Sequence, residues 1–178
     1  MTHFMTALSL ILQTIAPTVT IDRITAISVD VVDVVQGEAN SKNGLHIDSD
    51  TAIFMLAAAV SSESGLLESV ETCKNNGDGG RSVGLGQVMT GPNWQGHTRS
   101  EICSNRKLQL QLAVRVLDKC WEKTPQPDAT FRCYTSGNAN FQSYAAKHEL
   151  SLFTKIKKVV TDYTLSHTEE NQIISLIN

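Results

Sequence analysis

The chain has 178 residues, 41% of them hydrophobic and 19% charged, and a formal net charge of −3. That length suits one domain with a core of its own. The acidic balance argues against nucleic acid as a partner, and no apolar run reaches the ~20 residues of a membrane helix. Charged content lies below the roughly 25% usual for soluble domains, with Ser, Thr and Asn in its place. Such a surface suits contact with sugars or with other proteins.

Residues 4–16, FMTALSLILQTIA, have the apolar character of an export signal. No Lys or Arg precedes them, and Thr14-Ile15-Ala16 followed by Pro17 makes a poor cleavage site. The preferred reading is a short helix that docks on the domain or on a partner. Ile21, Ile24, Ile27, Val31 and Val35 then recur at helical spacing over 21–36, although the β-branched content also permits a strand. GEANSKNG, 37–44, reads as a loop. Asp48-Ser49-Asp50 offers an N-cap to a helix from Thr51 to about Ser64 whose middle, AIFMLAAAV, is apolar all round and therefore buried.

The glycine-rich run ETCKNNGDGGRSVGLGQ, 71–87, reads as a tight loop. Helical periodicity returns over 105–122, with Leu110, Ala113, Val114, Leu117 and Cys120 on one face, and Pro125 and Pro127 end it. A short helix at 128–134, the loop SGNAN at 136–140 and a long helix at 141–163 follow. The last has Leu152, Phe153, Ile156, Val159 and Val160 on its apolar side. Thr168, Glu169 and Glu170 suggest the cap of a small terminal helix. The sum is an all-α, single-domain fold with a Gly-rich loop that has room for a short hairpin. Its parts are an N-terminal apolar segment and helix (1–47), the main domain (48–163) and a tail helix (164–178).

The cysteines are Cys73, Cys103, Cys120 and Cys133. None forms a CxxC pair or stands at ligand spacing from a histidine, so neither a metal nor a cofactor is expected. Two disulfides are permitted in three connectivities. Cys73 with Cys103 and Cys120 with Cys133 would each tie a loop to a helix, and buried free thiols fit equally well.

Glu63 carries the first chemical signal. It ends a helix with no other charge from Thr51 to Val60, and such a carboxyl is desolvated, protonated and suited to general acid work. An ordinary surface Glu at a helix end is the alternative. Ser82, Gly84, Leu85, Gly86 and Gln87 bring glycines, a hydroxyl and an amide together in six residues, as a sugar site would. Tyr134, Thr135, Ser136 and Gly137 add an aromatic hydroxyl before another glycine turn. His97 and Arg99 would edge the cleft or serve the loop. Trp94 reads better as a core plug than as a sugar platform, and Trp121 as core.

These pieces, in this order, resemble the catalytic domain of soluble lytic transglycosylases, relatives of goose-type lysozyme. That family carries a Glu-Ser pair at the end of a buried helix, a Gly-Leu-x-Gln motif and an Ala-Tyr-Asn-x-Gly-like motif. Here they read Glu63-Ser64, Gly84-Leu85-Gly86-Gln87 and Tyr134-Thr135-Ser136-Gly137, within residues 48–155. The resemblance implies a lysozyme-like fold and cleavage of the β-1,4 bond between N-acetylmuramic acid and N-acetylglucosamine in peptidoglycan. Glu63 would be the single acid and base. Ser82, Gly84, Leu85, Gln87, Tyr134 and Thr135 would bind the glycan strand, with Tyr134 hydrogen-bonding near Glu63. Thr135 stands where the family usually has Asn, which weakens the sugar contact there.

Two competing readings remain. Asp78 in NNGDGG would serve as a second carboxylate in a lysozyme-type hydrolase, or belongs to turn chemistry alone. Alternatively the chain is an assembly protein of a phage particle or secretion apparatus, bound through its N-terminal segment. The substrate places the activity in the periplasm or cell wall. With so weak an export signal, a virion-associated protein or one released at lysis is expected ahead of ordinary secretion.

Overall fold

A computed structural model describes the backbone of residues 2–75 and 78–177 and the side chains of residues 3–75 and 78–167. Eight helices are present among the described residues: α1 (Thr2–Ile15), α2 (Ile21–Ala39), α3 (Ser49–Ser64), α4 (Glu68–Glu71), α5 (Arg99–Cys103), α6 (Arg106–Lys123), α7 (Pro127–Ser136) and α8 (Tyr144–Ile177). One antiparallel hairpin joins β1 (Ser82–Val83) to β2 (Val88–Met89). The mainly α fold expected from the sequence is the fold observed, hairpin included.

Helix α3 is the axis of the molecule. Asp48 accepts a hydrogen bond from the Thr51 amide at 2.9 Å, and Gly65 closes the helix in the left-handed region at φ 57°. Every residue from Ala52 to Ser61 is buried, because α2, α6 and α8 pack around it. No face of α3 meets solvent along this stretch, and its sequence accordingly carries no charge there. Helix α1 docks on α8 and α2, burying Ala7, Leu8, Ile11 and Leu12, and Phe4 stacks on Phe54 of α3 at 5.7 Å between ring centroids. The apolar segment at 4–16 is thus part of the core.

The structure corrects several details. Helix α2 extends through Gly37, Glu38 and Ala39, which the sequence suggested as loop. Glu38 is held by a bidentate pair with Arg115 of α6, at 2.7 and 2.8 Å, and that contact rewards the extra turn. Ile21 and Val159, assigned to apolar faces, are exposed. Helix α8 runs unbroken to Ile177, so no separate tail helix begins at Thr168; the capping side chains of Thr168, Glu169 and Glu170 lie outside the described residues, as do Asn76 and Gly77 of the NNGDGG run. Pro127 starts α7 instead of only ending α6, filling a first-turn position where a missing N–H costs nothing.

Both disulfides form. Cys73, just after α4, joins Cys103 at the end of α5, and Cys120 of α6 joins Cys133 of α7. The first closes a 30-residue separation that contains the whole glycine-rich loop. A Cys73→Ser/Cys103→Ser variant is expected to lose about 3.5 kcal/mol of stability in urea unfolding, from the chain entropy regained by the denatured state. The 13-residue Cys120–Cys133 separation gives an effect smaller by about 0.7 kcal/mol.

Candidate active site

Glu63 lies in the last turn of α3, half-buried, on the wall of a cleft of about 690 Å³. Its neighbour Ser64 is buried and donates to the Val60 carbonyl while accepting from the Leu66 amide at 3.1 Å. Ser64 therefore finishes the helix, and Gly65 then turns the chain away. Burial raises the Glu63 pKa above the ordinary carboxyl value; the charge of Asp78 adds to this, and a hydrogen bond with Glu149 opposes it.

Glu149 is the residue that sequence reasoning missed. It sits in the second turn of α8, fully buried, and α8 packs along α3. Among the described residues no donor reaches either of its carboxyl oxygens. The group that faces it is the Glu63 carboxyl, itself only an acceptor when ionised. The two therefore bond to each other only while at least one proton sits on the pair. Burial, then the charge of Glu63, pushes the Glu149 pKa up to about 10. Glu149 is accordingly neutral at physiological pH, with its proton available to Glu63. One carboxyl faces the cleft and the other backs it from within the core.

The Gly-Leu-x-Gln segment is the turn of the hairpin, closed by the Gln87 amide donating to the Gly84 carbonyl at 3.1 Å. It is folded inward: Leu85 is fully buried and Gly84 is buried beside it. Gly84 has φ +72°, and a Cβ there would stand 2.6 Å from the Gln109 side chain. At Gly86 a Cβ would stand 2.6 Å from the Ala113 Cβ and 2.9 Å from the Tyr134 hydroxyl. The glycines let the backbone lie against α6 and α7. Gln109, 1% exposed, fixes the turn from below. Its Oε1 accepts from the Leu85 amide at 2.8 Å, and its Nε2 donates to Glu71 and Ile102 carbonyls at 2.9 and 2.8 Å.

The cleft brings together Glu63, Asp78, Ser82, Gln87, Tyr134 and Thr135. Gly84 and Leu85 do not line it and act through the turn they build. Tyr134 donates to the Gly86 carbonyl, not to Glu63; burial and then the nearby carboxylates hold its hydroxyl well above the usual phenol range. Thr135 donates to the Phe131 carbonyl at 3.0 Å and pairs with Ser143 at 3.1 Å. Asp78 is exposed, and its oxygens accept from the amide and hydroxyl of Ser82 at 3.0 and 2.9 Å. Those bonds hold its pKa below the ordinary carboxylate value.

Asn93, Met89 and Ser136 also line the cleft, with Val116, Lys119 and Lys123 along one face of α6. The Trp94 indole is packed against the core and donates to the Val88 carbonyl at 2.9 Å, and Arg99 donates to the Gly80 carbonyl at 2.9 Å. Both support the loop, and neither they nor His97 line the cleft. No cluster of three or more His, Cys, Asp or Glu suited to a metal ion occurs among the described residues. Comparison of the chain with protein-family models, curated proteins and solved structures gives no match.

Two outcomes test this construction. Gly86→Ala is expected to cost about 2 kcal/mol by overpacking, read by thermal unfolding. The second concerns pH. Glu149 keeps its proton in the folded state to about pH 10, whereas the unfolded chain releases it near 4.5, the ordinary value for a glutamate. The folded state thus binds the extra proton between those values, and stability falls as pH rises through that window. Unfolding free energies from urea titrations at pH 5 and pH 8 should drop more steeply for the wild type than for Glu149→Gln, by at most about 1.4 kcal/mol per pH unit.

Proposed function

We propose that the chain is a peptidoglycan-cleaving enzyme of lytic-transglycosylase type, acting through Glu63. The observation that carries this reading is the pairing of half-buried Glu63 with fully buried Glu149 beside a cleft lined by Gln87, Tyr134 and Thr135. Protonated Glu63 would deliver its proton to the glycosidic oxygen as the bond from the muramoyl C1 breaks. The resulting carboxylate would take the proton of the muramoyl C6 hydroxyl, whose oxygen closes on C1 to give the 1,6-anhydro ring. Proton and electron pairs balance without water. Neutral Glu149 suits both halves of the cycle, since it stabilises the carboxylate by a hydrogen bond without adding a permanent charge.

Hydrolysis through Asp78 is the weaker reading, because the bonds from Ser82 hold its pKa below the ordinary carboxylate value and so make it a weaker base. An assembly protein without turnover would leave a fully buried and a half-buried carboxyl with a cost and no use. Two disulfides fit an oxidising compartment, in keeping with action in the periplasm or cell wall by a virion-associated or lysis-released protein. Among the described residues no helix is long and apolar enough to cross a membrane.

Mass spectrometry of soluble products from purified peptidoglycan tests the proposal. Anhydro-muramoyl ends are expected with the wild type, and Glu63→Gln should lose about a thousandfold in rate. Asp78→Asn should retain most activity. Reducing ends together with near-total loss in Asp78→Asn would move the assignment to a hydrolase.

A further inference from the structure

The cleft that holds Glu63 also holds two lysines that the reaction does not use. Lys119 and Lys123 stand four residues apart on α6, with Val116 and Cys120 on the same face, and all four line the cleft. Residues at that spacing are neighbours on a helix surface. Both lysines are exposed, and neither makes an ion pair among the described residues. Other basic side chains of α6 are committed: Arg106 to Asp30 and Glu71, Lys107 to Asp30 and Asp33, Arg115 to Glu38.

The cleft's sign therefore differs from that of the chain. Its acidic members are Glu63 and Asp78, against two lysines. With Glu63 protonated for the first step, one carboxylate faces two ammonium groups, on a chain of net charge −3. A neutral glycan such as a chitin chain would gain nothing from that arrangement. An anionic one would gain both affinity and a preferred direction along the cleft. The helix that carries the lysines is anchored: Cys120 lies between them in sequence and is bonded to Cys133 of α7, immediately before Tyr134. Their helix face and the Tyr134 end of the cleft are one covalent unit.

We propose that Lys119 and Lys123 are specificity residues that bind carboxylates carried by the glycan's substituents. The inference rests on the peptidoglycan reading given above and adds to it the form of the substrate: a strand bearing ionised lactyl or peptide-stem carboxylates. Two long, flexible ammonium groups suit that role, since carboxylates on flexible substituents present no fixed geometry for a bidentate fork.

The experiment compares wild type with Lys119→Gln/Lys123→Gln on native peptidoglycan and on peptidoglycan whose carboxyls have been capped with a neutral amine by carbodiimide. On the native material the double variant should raise KM about fivefold, the size expected of two solvent-exposed ion pairs, with kcat within about twofold. On capped material the two proteins should have equal KM, and added salt should raise the wild-type KM towards that of the variant. Strands stripped of peptide by an amidase lose the stem carboxylates and gain a free lactyl carboxylate where the stem was attached. Disappearance of the lysine effect on them assigns the contact to the stem, and its persistence shows that the lysines also accept the lactyl carboxylate. Equal KM for both proteins on native peptidoglycan, or an equal loss by the variant on native and capped material, overturns the inference. Failure of the underlying reading is seen separately, as absence of anhydro products from the wild type. In that event sedimentation of Glu63→Gln with intact sacculi, with and without the lysine substitutions, still reports on the carboxylate contact. Because both side chains are exposed, the variant should unfold at the wild-type midpoint.

Discussion

Placing a fully buried carboxyl group against a half-buried one at the edge of a helical core is the constraint around which this molecule is arranged. A lone buried carboxylate is costly unless paired or protonated, and Glu149 has no cation and no donor beside it except Glu63. A shared proton is the only inexpensive solution. It demands that Glu149 come from an element able to reach the end of α3, and α8, packed along α3, is that element. The apolar docking of α1 on α8 then has a role beyond stability, because it fixes the helix that carries the second carboxyl.

The opposite wall is built by different means. The hairpin is too short to hold its own position, two residues in each strand. It is pinned by Leu85 in the core, by Gln109 under the turn and by the Tyr134 hydroxyl on the Gly86 carbonyl. One disulfide anchors the long loop leading into it and the other locks α6 to α7. Ion pairs from α6 to Glu38 and Asp30 bind that helix to α2, while Arg106 and Arg23 together hold Glu71 of α4. The result is a rigid turn that presents Gln87 to the cleft.

Local signals made much of this legible from the residues alone. The uncharged run of α3, its Asp48 cap and its terminal Gly65 specified a buried helix ending in Glu63. The glycine spacing at 84–86 specified close backbone approach, and the structure identifies what approaches: Gln109, Ala113 and Tyr134. Glu149 was illegible because α8 is amphipathic with many polar residues, and a glutamate in its second turn has no signature of burial. Only the packing of α8 on α3 decides it. Gln109 escaped for the same reason, being a polar residue on a helix whose apolar face predicted the core without it. Glu38 was assigned to a loop because Gly37 precedes it; an ion pair with Arg115, remote in sequence, extended the helix instead.

The two acidic groups on the cleft face now have distinct positions, and these bear on the chemistry. A hydrolase needs an ionised base with an oxygen free to orient water. Asp78 is exposed, and each of its oxygens accepts one bond from Ser82; these bonds brace the entry into β1 and, by lowering its pKa, make the carboxylate a weaker base. Glu149 is neutral and has no place on the cleft wall. Glu63 is thus the carboxyl of the coupled pair that reaches the cleft, with its pKa raised by burial and restrained by the bond with Glu149.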